Sequence, residues 1–108
     1  MASNYTIINN LGEEIPDIPA DSIISRTIYS DEQVKAVLFG FAPGQELSEH
    51  TASTAAVLYV VEGKAEIKLG DDRLTAQPGT YVHMDSHLPH SIKAETSVVM
   101  LLLLFRTG

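Results

Sequence analysis

The architecture of this chain is clearest in one stretch, GQELSEHTASTAAVLYVVEG, which spans residues 44 to 63. A Pro-Gly pair at residues 43–44 and a Glu-Gly pair at residues 62–63 are turn signals. Between them, a polar segment containing His50 precedes an apolar run at residues 55–61, and both have the length of a short strand. The stretch therefore predicts two consecutive strands, with a histidine near the connection between them.

The rest of the chain repeats this pattern of short apolar segments that end in turn signals. Residues 64–69 alternate between apolar and charged side chains, as in a strand with one face in water. Residues 34–42 and 98–105 are apolar on both faces, which predicts strands buried on both sides. Further strands are predicted at residues 5–8, 22–29, 73–76, 80–84 and 90–94. About ten short strands without a credible helix predict an all-β fold, an antiparallel sandwich or barrel.

Length and composition narrow the functional classes. The chain has 108 residues, 44% of them hydrophobic, which suits one domain with one core. Its formal net charge of −7 argues against nucleic acid as a partner and, weakly, against anionic membranes. The absence of cysteine excludes disulfides, thiolate metal ligands and a cysteine nucleophile. No signal peptide or apolar run long enough to span a membrane is visible, so we expect a cytoplasmic protein.

Two groups of residues occur in the order and at the separation of two motifs from a known family. The first group is the Pro-Gly pair described above, then His50, then Tyr-Val-Val-Glu-Gly at residues 59–63. The second group is Pro-Gly at residues 78–79, then Met84, then the Pro-His pair that ends at His90. Together they resemble a small single-domain cupin of the cupin 2 conserved barrel type.

The resemblance implies a fold and an organisation for the chain. It covers residues 34–105, which would form the core of a double-stranded β-helix, the antiparallel jelly-roll barrel of cupins. Residues 1–108 would then make one domain, in which residues 1–21 are an N-terminal strand and loop that packs on the barrel or on a partner subunit. It also implies a homodimer, because small cupins often pair.

The family's metal ligands give the first set of candidate site residues. In cupins four side chains bind one divalent metal, often iron, manganese, nickel or zinc. This chain has His50 and His90 at two of those positions and alanine, Ala52 and Ala56, at the other two. Because a catalytic metal usually has three protein ligands, a third must come from elsewhere, and the candidates are His87, Glu46 and His83. The prediction is a divalent metal at His50, His90 and His87, and a metal-free pocket is the alternative.

The strand period adds further candidates around the two histidines. Residues two apart in a strand share a face, so Glu46 and Ala52 are expected to point into the barrel with His50. The two alanines make the pocket smaller and more apolar than a charged metal site. The complete predicted lining is Glu46, Ala52, Ala56, Leu58, Met84 and Ile92.

Three functions are compatible with this sequence. The first is binding of a small molecule around His50 and His90, with or without the metal. The second is an enzyme, either a metal-dependent dioxygenase or isomerase or a metal-free acid–base catalyst that uses the two imidazoles. The third is a non-catalytic ligand sensor or regulatory partner. The residues do not identify the ligand or a reaction.

Overall fold

The chain forms an all-β barrel, as predicted. A computed structural model describes residues 4–106. Within these residues, a 3-10 helix at Leu11–Glu14 precedes nine strands. The strands are β1 Ile23–Ser30, β2 Val34–Phe41, β3 Glu46–His50, β4 Ala56–Glu62, β5 Ala65–Leu69, β6 Asp72–Ala76, β7 Tyr81–Met84, β8 His90–Ala94 and β9 Val98–Phe105. In this part of the chain, no helix is long and apolar enough to cross a membrane.

The strands form two antiparallel sheets that share one core. One sheet has five strands in the order β1-β2-β9-β4-β7, and the other has four in the order β3-β8-β5-β6. After β2, the chain crosses to the second sheet for β3 and returns for β4, and it crosses again before β5, β7, β8 and β9. This repeated crossing winds the two sheets into a double-stranded β-helix. The predicted jelly-roll barrel is confirmed.

Two central strands of the larger sheet explain the sequence segments that are apolar on both faces. On the inner face, Phe41 of β2 and Met100 of β9 belong to the main core, where both are 2% exposed or less. On the outer face, Leu38 of β2 and Val99 of β9 form a second cluster with Ile15 from the N-terminal segment. Each of these strands is therefore covered on both sides, as their sequences predict.

The N-terminal segment differs from its prediction. Residues 5–8, where a strand was expected, are not paired with any strand, and Tyr5 and Ile7 are 75% and 69% exposed. The chain then packs on the outer face of the larger sheet, where a Cβ added to Gly40 would lie 2.9 Å from the side chains of Ile15 and Ile18. The apolar content of residues 5–8 satisfies strand propensity, but propensity supplies no pairing partner.

Candidate functional site

Strands β3 and β8 bring His50 and His90 together at one end of the four-stranded sheet. The two residues are directly opposite each other in the β3–β8 pairing. Their ring centroids are 4.2 Å apart with an interplanar angle of 60°, so the edge of one imidazole meets the face of the other. His50 is exposed and His90 is half-buried. The two histidines are forty positions apart in the sequence, and they become neighbours through the pairing of β3 with β8.

A β-bulge in β3 sets the direction of His50. Leu47 is opposite Ile92 and His50 is opposite His90, so residues 48–49 of β3 face a single residue of β8. One extra residue in a strand interrupts the alternation of its side chains. Leu47 and His50, three residues apart, therefore both line the barrel interior.

The bulge also corrects the prediction that Glu46 lines the pocket. Glu46 is exposed and lies with Ser48 and Glu49 on the outer face of the four-stranded sheet. On that face Glu49 forms an ion pair with Lys68 at 3.1 Å. The prediction assumed that side chains alternate without interruption along β3, and it therefore placed Glu46 on the face of His50. The inward residue that it missed is Leu47, and an apolar residue within a polar segment was the available signal.

Both imidazoles have a defined tautomer. His50 Nδ1 lies 2.8 Å from the backbone carbonyl oxygen of Ser48, and His90 Nδ1 lies 2.8 Å from that of Leu88. A carbonyl oxygen only accepts hydrogen bonds, so each Nδ1 carries the hydrogen and donates it. In the neutral ring, Nε2 then keeps its lone pair. The site therefore presents two acceptor nitrogens, with both rings oriented by the backbone.

The two histidines border a small apolar cavity between the sheets. Its volume is about 30 Å³, enough for a water molecule but small for an organic ligand. Three of the predicted residues line it: Leu58, Met84 and Ile92. The predicted lining did not include the other apolar residues, of which only Ile67 and Leu69 belong to a strand with a clean alternation: Leu47, Ile67, Leu69, Met100 and Leu102. Apart from the histidines, Ser91 is the one polar residue of this lining.

The two alanines occupy different environments. Ala56 is 3% exposed and belongs to the main core, next to but not part of the cavity lining. Ala52 lies in the loop after β3, because that strand ends at His50, and it lines a separate cavity near Lys35 and Arg106. Ala52 is therefore outside the pocket that it was predicted to line. The strand alternation on which the prediction rested does not extend past His50.

The structure does not bring His87 into the site. His87 is exposed in the β7–β8 loop with a φ of 67°, and its backbone N–H donates to the carbonyl oxygen of Ala52 at 2.7 Å. The fourth histidine, His83, is on the outer surface, where its Nδ1 lies 3.8 Å from a carboxylate oxygen of Asp85. Neither residue lines the cavity beside His50 and His90.

The donor set does not fit the metal centre of the family. Within residues 4–106, no group of three or more histidine, aspartate or glutamate side chains is arranged to hold a metal ion. The two Nε2 atoms of His50 and His90 are the available donors, and a protein metal site usually supplies at least three. Glu46, which could add a carboxylate, lies on the opposite face of its sheet.

Fold and site together define a class: an antiparallel double-stranded β-helix barrel with a histidine pair at one mouth. The chain belongs to the cupin domain family, whose model matches residues 37–105. No curated protein matches the chain at a significant level.

Several solved structures share the fold. A conserved protein of unknown function from Streptococcus pyogenes is 24% identical with a TM-score of 0.84, and the match covers 98% of this chain and 92% of that one. A cupin superfamily protein from Desulfitobacterium hafniense is 21% identical with a TM-score of 0.80 and 84% of each chain covered. An RmlC-like cupin from Shewanella frigidimarina is 20% identical with a TM-score of 0.76, covering 84% of this chain and 81% of that one. At these identities the likeness concerns the fold.

Proposed function

We propose that this cupin binds a small, largely apolar organic molecule that donates hydrogen bonds to Nε2 of His50 and His90. The observation that carries the proposal is the shared tautomer of the two rings. Each Nδ1 donates to a backbone carbonyl oxygen at 2.8 Å, so both Nε2 atoms are acceptors in the neutral pair. A hydroxyl or N–H group on the ligand complements them.

The cavity beside the histidines suits the apolar part of such a ligand. Eight of its eleven lining residues are leucine, isoleucine or methionine. Its volume of about 30 Å³ means that a ligand must displace side chains as it enters. Met84 and Met100 line the cavity, and the unbranched, flexible methionine side chain readily adapts to a new neighbour. Binding by this route involves rearranged core packing and favours compact ligands.

The proposal gives the orienting role to the imidazoles and not to a metal. Two imidazole donors without a third protein ligand make a weak divalent-metal site. The same two Nε2 atoms are well suited to hydrogen bonds, each of which contributes about 1 kcal/mol net. The two Nε2 atoms therefore suit the binding of a small molecule better than the metal-dependent oxygenation or isomerisation that the family resemblance also suggested.

Phenol and benzene form the test pair, because they differ by one hydroxyl donor. We expect phenol to bind about fivefold more tightly, from one net hydrogen bond of about 1 kcal/mol. Binding is followed by NMR through the methyl resonances of Met84 and Met100. The double variant with His50→Phe and His90→Phe keeps two aromatic rings but removes both acceptors, so the preference for phenol should disappear. His83→Phe, on the outer surface, is the matched control.

Two results would contradict the proposal. Equal affinities for phenol and benzene in the wild type would show that the histidines do not accept a hydrogen bond from the ligand. Near-stoichiometric iron, nickel or zinc in purified protein, lost in a variant with both His50→Ala and His90→Ala, would show that these nitrogens serve a metal instead. Elemental analysis of the two proteins measures this directly.

The expected homodimer remains a prediction, and the outer face of the larger sheet is where we propose to test it. Tyr59 and Tyr81 lie opposite each other in the β4–β7 pairing, and their side chains are 37% and 64% exposed. Tyrosine is enriched at protein interfaces. If this face pairs two copies, Tyr81→Glu should shift the mass measured by light scattering from dimer to monomer.

A further inference from the structure

Lys35 lies on the inner face of the larger sheet, at one end of the barrel. It lies opposite Leu104 in the pairing of β2 with β9, and Leu104 lies opposite Ala56 in the pairing of β9 with β4. Leu104 and Ala56 pack in the main core. Because residues directly opposite each other project to the same face of a sheet, Lys35 also belongs to the inner face. Lys35 is half-buried there, as is usual for a lysine whose stem lies along apolar surface while its charged group stays in water.

In the part of the chain that the structure describes, Lys35 is one of three basic side chains without an ion pair. Carboxylates outnumber basic groups by fourteen to seven in this chain. Even so, within residues 4–106 Lys35, Lys93 and Arg106 have no carboxylate within 4.0 Å. Four basic residues do form ion pairs: Arg26, Lys64, Lys68 and Arg73. Of the three that do not, Lys35 and Arg106 line the same cavity.

This cavity lies between the ends of β2 and β9 and the loop that joins β3 to β4. Its volume is about 430 Å³, and hydroxyl-bearing Ser53 and Thr54 form part of its wall. Among the residues that the structure describes, no aspartate or glutamate lines it. The contrast with the outer face of the four-stranded sheet is informative, because the cavity there has three basic and three acidic lining residues. The Lys35 cavity thus carries a local positive charge on an acidic protein.

Asp31 is a carboxylate whose charge acts on Arg106, and its hydrogen bonds are made to other groups. Asp31 accepts hydrogen bonds from the Tyr29 hydroxyl and from the backbone N–H groups of Gln33 and Val34 at 2.8 to 2.9 Å. These donors, with a smaller contribution from Arg106, hold the pKa of Asp31 below its ordinary value. Arg106 itself donates from Nη2 to the hydroxyl of Ser30 at 2.8 Å, which orients the guanidinium beside the cavity.

The Lys35 cavity adjoins the histidine cavity along β9. Leu102 lines the histidine cavity and Leu104 lines the Lys35 cavity. The two leucines are alternate residues on the inner face of one strand, so they are about 7 Å apart. A ligand that reached from one cavity to the other would therefore span at least this distance.

We propose that Lys35 and Arg106 bind an anionic group, a carboxylate or a phosphate, on the ligand whose apolar part enters the histidine cavity. This inference rests on the proposed function and makes it more specific: the ligand is an amphipathic organic anion. The hydroxyls of Ser53 and Thr54 add neutral donors for the same group. Attraction to two basic side chains also counteracts the repulsion that an anion meets from a chain with a net charge of −7.

The test compares para-hydroxyphenylacetate with its neutral amide, para-hydroxyphenylacetamide. In the wild type at low ionic strength, we expect the acid to bind about fivefold more tightly, as solvent-exposed ion pairs allow. Lys35→Gln and Arg106→Gln should each reduce this preference. Lys93→Gln removes the same charge from an unpaired lysine on the outer face of the other sheet and should leave the preference unchanged. Added salt should weaken the binding of the acid more than that of the amide.

Two outcomes overturn the inference. In the first, the acid and the amide bind equally to the wild type. In the second, Lys93→Gln lowers the preference for the acid as much as Lys35→Gln does, which would identify a nonspecific effect of net charge. If the amide still binds in a manner that depends on His90 while the acid has no advantage, the anion site fails and the proposed function stands.

Inorganic phosphate gives an independent measurement of the same site. We expect phosphate alone to shift the backbone amide resonances of Ser53 and Thr54, and Lys35→Gln to abolish the shift. If that shift occurs while neither phenolic probe binds at the histidines, the proposed function fails but the anion-binding site is retained. If phosphate shifts neither amide, the anion-binding site is overturned.

Discussion

We predict that Gly63→Ala destabilises the fold far more than the same substitution at Gly44. Gly63 connects β4 to β5 with a φ of 86°, and Gly44 precedes β3 with a φ of 83°. The two glycines therefore share a left-handed backbone that alanine adopts poorly. They differ in their surroundings. A Cβ at Gly63 would lie 1.9 Å from the carbonyl oxygen of Ser97, whereas nothing lies within 4 Å of a Cβ at Gly44.

The magnitude follows from these two contributions. The left-handed conformation costs an alanine roughly 1–2 kcal/mol at either position. Steric overlap adds about 1–3 kcal/mol at Gly63 alone, because the obstacle is backbone that cannot rotate away. The turn that carries Ser97 is also held in place, since the carbonyl oxygen of Lys64 accepts from the backbone N–H groups of Glu95 and Thr96 at 2.9 and 3.2 Å. The total at Gly63 is about 2–5 kcal/mol, against about 1–2 kcal/mol at Gly44.

Urea unfolding followed by far-ultraviolet circular dichroism measures both variants against the wild type. Linear extrapolation gives the free energy of unfolding, and an unchanged m-value shows that the unfolded state is comparable. The expected result is a gap of at least about 1 kcal/mol between the two variants. Equal losses at Gly63 and Gly44 would refute the reasoning, because the close approach of the two turns would then contribute nothing.

Three further changes test the core, the bulge and an electrostatic contact. Leu58→Ala should cost about 2–5 kcal/mol in urea unfolding and enlarge the histidine cavity, so unchanged benzene affinity would contradict the assigned lining. Leu47→Asp should cost more than about 2 kcal/mol and Glu46→Ala less than about 0.5 kcal/mol, and the reverse order would show that β3 has no bulge. The Tyr29 hydroxyl, followed by backbone N–H groups, lowers the pKa of Asp31 below 3.8. Its stabilisation is therefore present above pH 3.8 and lost as the pH falls through the lowered value. Tyr29→Phe should reduce stability at neutral pH and have less effect in strong acid, and a constant loss would contradict this.

Much of the fold was predictable because its signals are local. Turn residues such as Pro43-Gly44 and the alternation at residues 64–69 depend on neighbours in the chain, and nearly every strand appears where these signals placed it. The exception is residues 5–8, which have the composition of a strand but no paired neighbour. Composition measures a preference for extended backbone, and hydrogen bonding to a second strand is a separate requirement.

The candidate site was predictable only in part. The resemblance identified His50 and His90, and the structure places them in contact. The two-residue period of a strand predicted Glu46 and Ala52 on the face of His50, and neither residue lines the cavity beside it. The period fails at the bulge between Leu47 and His50 and again where β3 ends. A bulge is defined by the register of two strands, so the sequence of one strand does not reveal it.

The amino-acid sequence by itself determined the strands, the turns and the family, because these depend on composition and spacing along the chain. Only the tertiary structure decided which side chains meet. It left His87 exposed in the β7–β8 loop, outside the lining of the cavity beside the histidine pair. It also placed Lys35 and Arg106, which lie just outside opposite ends of the region matched by the family model, in the lining of one cavity. The physical reason is that contacts between distant segments are set by strand register and sheet packing, and these are properties of paired strands.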